Sequence, residues 1–416
     1  HYEMEQEEHD VYPDDPDFDI NKARLVTTAP RICVRYECVP MRFIKHVYKI
    51  HTYAQDGRLF EGKTPVSAFL NSSYDGSFIA GLMELRYIQS LPVERIINYF
   101  ESHGFTLKKP TAHKLMEKAS SLFENLYKCI RQTALSDPYK AADETYYKIL
   151  VPEKNSKGKG FRKGYLWVVV GINTRMIYLL YDDGSRSEKV ILNELGGCKG
   201  IIQSDGYSPY RKLESDAYPH ITRIPCLQHI KRKFIDCGED DPDAKRIVEM
   251  INTLYQNEHK HKIGVDGWTV EQNLVHRKKY APDILGEIKD VLDDIEERGD
   301  LLPKSELKEA ITYLRNEWNA VVDIFNYGDT YLDNNIVERM NRYISLSRKN
   351  SLFFGSHKGA ERGAILYTIA LTCRMNKVNL FEYLTDVINR TAEWQPNTPL
   401  EKYRQLLPDR WEKAND

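Results

Sequence analysis

Three acids hold most of the chemistry this chain of 416 residues can offer. They are Asp143 in Ala141-Ala142-Asp143-Glu144-Thr145, Asp205 in Ser204-Asp205-Gly206, and Glu338 in Asp333-Asn334-Asn335-Ile336-Val337-Glu338-Arg339. Carboxylates drawn together repel one another unless cations lie between them, and hard divalent ions such as Mg²⁺ prefer oxygen ligands. Convergence of the three would therefore make a metal site. Each also has a plainer role open to it, Asp143 starting a turn and Asp205, ahead of Gly206, ending a strand.

The choice depends on the elements that carry these acids. After Asp137 the pattern becomes that of strands: Tyr146 to Val151, the apolar run Tyr165 to Ile172, and Met176 to Tyr181 closed by Asp182-Asp183-Gly184. Three strands in succession with turn punctuation predict an antiparallel meander. A helix over Ser187 to Leu195 follows, then a buried strand Gly200 to Ser204, a short helix Tyr210 to Leu213, a strand Ile221 to Ile224 and a helix Gln228 to Phe234. This β-β-β-α-β-α-β-α order predicts an α/β protein of the ribonuclease H-like kind, a mixed five-stranded sheet with helices on both faces. In that arrangement the first and fourth strands are neighbours. Asp143 then opens the first strand where Asp205 leaves the fourth, and Glu338, on a helix with Asn334 as its N-cap, is the third acid that should reach across them.

Asp143 and Asp205 are 62 positions apart, whereas Glu338 lies another 133 on. A turn, strand and helix fill only roughly 30 to 40 residues, so residues 237–326, helical and charged, are expected to be an all-α insertion ahead of the last catalytic helix. The core would run over 137–236 and 327–390, with a C-terminal extension over 391–416. Upstream, 76–136 reads as helices, with 21–75 as a small β-containing module that includes strands at Ile32 to Tyr36 and Phe43 to Tyr53. Residues 1–20 carry nine acids and no Lys or Arg. They are expected to form a flexible tail, since little apolar surface offsets the ordering entropy.

The net charge of −2 hides this segregation: without the tail, the 59 basic residues exceed the remaining 52 acids by seven. Basic residues gather in three places. Lys108, Lys109, Thr111, His113 and Lys114 open a helix after the His103-Gly104-Phe105 break, in the manner of a helix-turn-helix, although a plain helical hairpin has the same spacing. Lys157, Lys159, Arg162 and Lys163 lie in the loop between the first two core strands, where charge alone can follow a phosphate backbone. Arg339, Arg342, Arg348 and Lys349 decorate the Glu338 helix. Beside metal-binding acids, double-stranded DNA is the partner these clusters predict.

No apolar run approaches the roughly 18 residues of a membrane span. Seven irregularly placed Cys suit a reducing compartment. A cytoplasmic, nucleoid-associated setting is expected. The sequence starts at His1, so the native N-terminus is expected to be missing.

Several separate strings, in order, resemble the transposases of the insertion sequence 66 family. They are Ala142-Asp143-Glu144-Thr145, Ser204-Asp205-Gly206-Tyr207, Cys226-Leu227-Gln228-His229 running on to Phe234, Asp333-Asn334-Asn335 with Glu338-Arg339, and Arg348 to Ser356. The resemblance spans about residues 39–411 and implies a DDE-type catalytic triad of Asp143, Asp205 and Glu338. Phosphodiester cleavage by such a triad would use two Mg²⁺ ions, with Mn²⁺ able to substitute, Asp143 bridging them and Glu338 completing the second site. The reaction implied is cleavage at terminal inverted repeats and strand transfer into target DNA. The resemblance further implies a homodimer or larger synaptic complex, and element-encoded accessory proteins. A silent DNA-binding descendant, or a nuclease that cuts without transfer, would share many of these features, and the intact triad argues against the first.

One departure from the family stands out. Tyr53-Ala54-Gln55 occupies the place of a Cys pair, with only Cys33 and Cys38 nearby, so a four-ligand zinc element is not expected there. Cys226 and His229 suit either metal binding or packing of their helix, and packing is the expectation. His259 and His261 read as a solvated helix face.

Overall fold

The computed structural model describes residues 41–47, 49, 52–55, 58–61, 67–69, 72–153, 158, 160–238, 240–395 and 397–413. Its contacts divide the chain into 1–44 and 45–416. Of the first unit only 41–44 are described, and they carry no regular structure. The acidic tail and the strand expected at Ile32 to Tyr36 lie outside the described residues. The strand expected from Phe43 is a correction: 43–47 are irregular, and pairing begins only at β1 (Thr52–Gln55), which meets β2 (Arg58–Glu61) antiparallel. Alternation alone does not make a strand, and Ile44 and Val47 are 62% and 69% exposed.

Five strands build the central sheet. β3 (Tyr139–Leu150), β4 (Phe161–Gly171) and β5 (Met176–Leu180) form an antiparallel meander, and β6 (Gly200–Ser204) and β7 (Ile221–Pro225) add on parallel to β3. The order is β5-β4-β3-β6-β7, so the first and fourth strands of the core are neighbours. β3 starts seven residues before the expected Tyr146. Ala141 and Ala142 are fully buried there and slim enough to lie between β4 and β6, so Asp143 sits inside the strand rather than at its head. Gly200, with φ of +92°, starts β6 where a Cβ would meet the Pro138 carbonyl oxygen at 2.2 Å, so only glycine fits.

Helices cover the sheet. α1 (Gly76–Met83), capped by Asp75, runs into one π-helical turn (Glu84–Ile88), then come α2 (Val93–Ser102), α3 (Lys109–Leu122) and α4 (Glu124–Ser136). α5 (Glu188–Leu195) and the short α6 (Ser208–Arg211) connect strands, and α7 (Leu227–Ile235) follows β7. Between α7 and the helix of Glu338 stand α8 (Pro242–His259), α9 (Val270–Glu297) and α10 (Glu306–Ile324). These three helices share one apolar core with the sheet: Ile247, Leu254, Leu292 and Ile311 pack with Tyr139, Ile201 and Ile224. Inside that core Arg277 is 1% exposed, held by both oxygens of Glu258 and by the Thr330 carbonyl. His261 follows α8 and stacks on Trp268 at 3.9 Å, so it packs on a ring rather than lying on a helix face.

The remaining helices are α11 (Asn335–Asn350), α12 (His357–Met375), α13 (Leu380–Thr391) and α14 (Leu400–Arg404). Between α11 and α12 the chain lies extended beside β3, where Phe354 N–H donates to the Lys148 carbonyl and Leu150 N–H to that of Phe354. α12 closes the outer edge of β5: Thr368 Oγ1 accepts from Leu179 N–H at 2.9 Å and Thr372 Oγ1 donates to the Ile177 carbonyl at 2.8 Å. Among the described residues, no helix is long and apolar enough to cross a membrane.

Candidate active site

The site is assembled by α11 lying along β3. Residues seven apart on a helix return to nearly the same face, and α11 uses this to present a polar series to the strand. Asn334 Nδ2 donates to the Ala142 carbonyl at 3.1 Å, Asn341 Nδ2 to Asp143 Oδ2 at 2.5 Å, and Arg348 Nη1 to the Tyr146 carbonyl. Val337 and Ile344, both fully buried, pack between them. Asn334 does stand at the N-cap position, but its side chain serves the strand. The capping acceptor is Asp333 Oδ1, which takes the Asn335 N–H at 3.1 Å.

Asp143 is thereby fixed at both oxygens, since Oδ1 accepts the Glu144 N–H at 2.8 Å. Burial, and then the nearby charges of Glu144 and Asp205, push its carboxyl from an ordinary 3.8 to about 7. Asp205 directly follows β6, and its Oδ1 accepts the Tyr207 N–H at 3.1 Å. Glu144 is also raised by burial, while Arg186 pairs with it and Tyr210 donates to it. Asp205 is close enough for its charge to act on Asp143.

Glu338 is placed differently. It precedes Asn341 by one turn, so it shares the face that meets Asp143, but its Oε1 lies 3.7 Å from His229 Nε2. Cys226, His229 and Glu338 are the one set of three ligand-type side chains, among the described residues, whose donor atoms all fall within 4.8 Å of one another. Asp143, Asp205 and Glu338 do not close to that spacing. Cys226 also packs the start of α11, its Sγ accepting the Asn334 N–H at 3.2 Å. Glu338 Oε1, His229 Nδ1, Asn334 Oδ1 and Asn341 Oδ1 are all shielded from solvent without a hydrogen-bond partner. Three orphaned acceptor oxygens and an imidazole nitrogen along one seam fit residues that serve a further, electropositive group.

The basic residues divide into paired and free sets. Lys108, His113 and Lys114 are exposed at the start of α3, Thr111 is half-buried, and Lys109 pairs with Glu94 at 2.5 Å. Burial and the cations Lys109, Arg86 and Arg362 lower the His113 pKa. Lys157 and Lys159 lie outside the described residues. Arg162 pairs with Asp183 at 3.2 Å. Lys163 and Arg348 both approach the ring of Tyr146, at 4.6 Å and 4.0 Å from its centroid. Arg339, Arg342 and Lys349 are exposed on α11. Sequence reasoning missed Asn341 and Arg186. A polar residue every seventh position through an otherwise apolar helix stripe was the signal for the first, whereas nothing local marks the second.

The fold and site together define an α/β protein with a mixed five-stranded sheet of the order 3-2-1-4-5, consistent with a ribonuclease H-like fold, that gathers acids beside its first and fourth strands. The model of the "Transposase IS66 family" matches residues 71–362, and the chain belongs to this family. Membership supports a transposase-like function. Three proteins of Sinorhizobium fredii (strain NBRC 101917 / NGR234) are similar to it. The uncharacterized protein y4jD is 26% identical over 346 residues, covering 80% of this chain and 65% of its own. The uncharacterized protein y4hP is 24% identical over 438 residues, covering 95% and 76%, and the uncharacterized protein y4qI is 26% identical over 384, covering 88% and 69%. The chain therefore spans less than two thirds of the first of these relatives.

Proposed function

We propose that this protein is a DDE-type DNA transposase, in which Asp143, Asp205 and Glu338 hold two Mg²⁺ ions, or Mn²⁺ in their place, to cut transposon ends and join them to target DNA. The observation that carries this reading is the half-buried Asp143 carboxyl, displaced to about 7 with Glu144 and Asp205 beside it. Acids crowded around a partly desolvated carboxylate, with Arg186 paired to Glu144 rather than to Asp143 and the neighbouring Glu338 oxygen without a donor, favour added positive charge. Bound divalent ions would supply that charge, stabilise the leaving oxygen and lower the pKa of the attacking hydroxyl. The chain's own residues supply placement: Asn341 and the Glu144 N–H aim the Asp143 oxygens, and the Tyr207 N–H aims Asp205.

Double-stranded DNA would cross this site along the exposed cations of α11 and along Arg162 and Lys163, which lie in β4 and not in the loop, with Lys157 and Lys159, outside the described residues, as further candidates. Recognition of the terminal inverted repeats belongs to the start of α3, where Lys108, Lys109, Thr111, His113 and Lys114 surround a helix end that no side chain caps. Joining two ends in one event calls for a homodimer or larger synaptic complex, with element-encoded accessory proteins as further partners. Cytoplasmic action on the nucleoid follows from this substrate.

The test is incubation of the protein with labelled terminal-repeat DNA, Mg²⁺ and a target plasmid, followed by sequencing of joined products. Joined ends establish transfer. Cut but unjoined DNA would make the protein a nuclease, and bound but uncut DNA would make it a silent descendant. A second outcome is expected from neutralising Lys163, Arg339, Arg342 and Lys349 together. Affinity should fall alike for all DNA sequences, and the slope of log affinity against log salt should flatten by about 0.9 for each phosphate contact removed. An unchanged slope would place the DNA elsewhere.

A further inference from the structure

Asp205 stands just beyond the hydrogen-bonded ladder. The β6–β7 register ends at Ser204 opposite Pro225, and proline has no N–H to extend it. The backbone that carries this acid must therefore be held by something other than the sheet. Besides Ser204 Oγ, which donates to the Asp205 carbonyl at 3.0 Å, two side chains from other elements do so. The Asp205 carbonyl accepts Arg223 Nη1 at 3.2 Å, and the Gly206 N–H donates to the Tyr313 hydroxyl at 2.9 Å. Gly206 also lets the ring come this close, since a Cβ there would lie 2.5 Å from the Tyr313 oxygen.

Both supports lead to α10. Tyr313 and Glu317 are four residues apart and so lie on one face of that helix. Glu317, 1% exposed, pairs with the Arg223 guanidinium, whose side chain is 0% exposed. Arg223 also pairs with Glu214 and donates to Ser204 Oγ at 3.4 Å. A buried ion pair adds little net stability over an apolar pair of the same shape, so stability alone is a weak reason for this one. What it does provide is a fixed direction: the fork of Arg223 is locked by two carboxylates and aimed at the Asp205 carbonyl.

We propose that α10 is a clamp for the second aspartate of the site, with Tyr313 acting directly and Glu317 acting through Arg223 as positioning residues. The inference rests on the reading of Asp205 as a metal ligand and extends it: the helices between α7 and α11 belong to the catalytic apparatus, because metal ligands must be held to within about 0.5 Å of their working geometry.

The test uses the full chain and measures Mn²⁺ binding by electron paramagnetic resonance without DNA, beside the Mg²⁺ dependence of cleavage. The variants are Tyr313→Phe, Glu317→Gln and, as reference, Asp205→Asn. Tyr313→Phe keeps the ring and removes only the hydroxyl. It is expected to weaken Mn²⁺ binding by about 10-fold, the lower end of what outer supports of a metal site are worth. The Mg²⁺ concentration for half-maximal cleavage should rise by the same factor, with the rate recovering at saturating Mg²⁺ and the thermal midpoint unchanged. Glu317→Gln should act in the same direction, and if it fails to fold because Arg223 loses a buried partner, Tyr313→Phe decides alone. Loss of both readouts in Asp205→Asn with wild-type metal affinity in Tyr313→Phe would overturn the clamp and leave the site standing. Wild-type binding and cleavage in Asp205→Asn would overturn the site and the clamp together. A fall in cleavage in Tyr313→Phe at unchanged Mn²⁺ affinity would also overturn the clamp.

Discussion

Cleavage of terminal DNA is expected to fall by about a thousandfold or more in each of Asp143→Asn, Asp205→Asn and Glu338→Gln, while DNA binding stays near that of the wild type. Each change keeps the side chain's size and removes one charge that, in the proposed reading, would hold the ions and through them meet the charge developing on the phosphate. Loss of one group that meets such charge typically costs about 10²- to 10³-fold, and loss of a ligand removes more than one such contact. Glu338→Gln is the most informative of the three. Its Oε1 lies 3.7 Å from His229 rather than closing with the two aspartates, so an active Glu338→Gln protein would confine Glu338 to the His229 contact and leave the metal to other ligands. Purified variants assayed on a nicked and an intact terminal substrate decide the matter residue by residue.

The second large effect is on stability. The Asp143 carboxyl ionises at an ordinary 3.8 in the unfolded chain and at about 7 in the folded protein, first because it is buried and then because Glu144 and Asp205 stand beside it. Between these values the folded state binds more protons than the unfolded state, so stability declines as the pH rises from about 4 to 7 and stays reduced above that. At about 1.4 kcal/mol for each tenfold change in proton affinity, the metal-free protein at pH 8 gives up as much as about 4 kcal/mol to keep this charge. Asp143→Asn has no such charge to keep. In chelator it should unfold at higher denaturant than the wild type at pH 8, with the gap closing towards pH 4, and Mg²⁺ at pH 8 should stabilise the wild type alone. Parallel pH profiles for the two proteins would mean that the carboxyl is not displaced.

The strand order, with the strands of Asp143 and Asp205 as neighbours, was legible in the sequence because it follows from period-two patterning, turn residues and the neighbour relations of one sheet topology. Other features were hidden for physical reasons. The early start of β3 depends on two alanines, which carry no strand preference and are there because two strands flank them closely. The N-cap reading of Asn334 was sound as propensity, but its amide finds a better partner in the Ala142 carbonyl, and Asp333 takes over the cap. The link from Glu317 through Arg223 to Asp205 joins residues 94 and 18 positions apart, a separation no local pattern reports. The irregular backbone at Phe43 to Val47 shows the reverse, a strong alternation whose Ile44 and Val47 stay exposed.

The threonines of α12 bear on how copies of this chain can join. An open edge strand invites a second chain to add its own strand there, which leads to filaments and precipitates as readily as to closed pairs. Thr368 and Thr372 satisfy the Leu179 N–H and the Ile177 carbonyl from within the same chain, so β5 offers no template for strand addition. Self-association by strand addition at β5 is thereby closed off, so a contact between copies on that side of the sheet would be made with side chains. Contacts of that kind bury shape and charge rather than continuing a backbone ladder, so they can close at a defined number of copies.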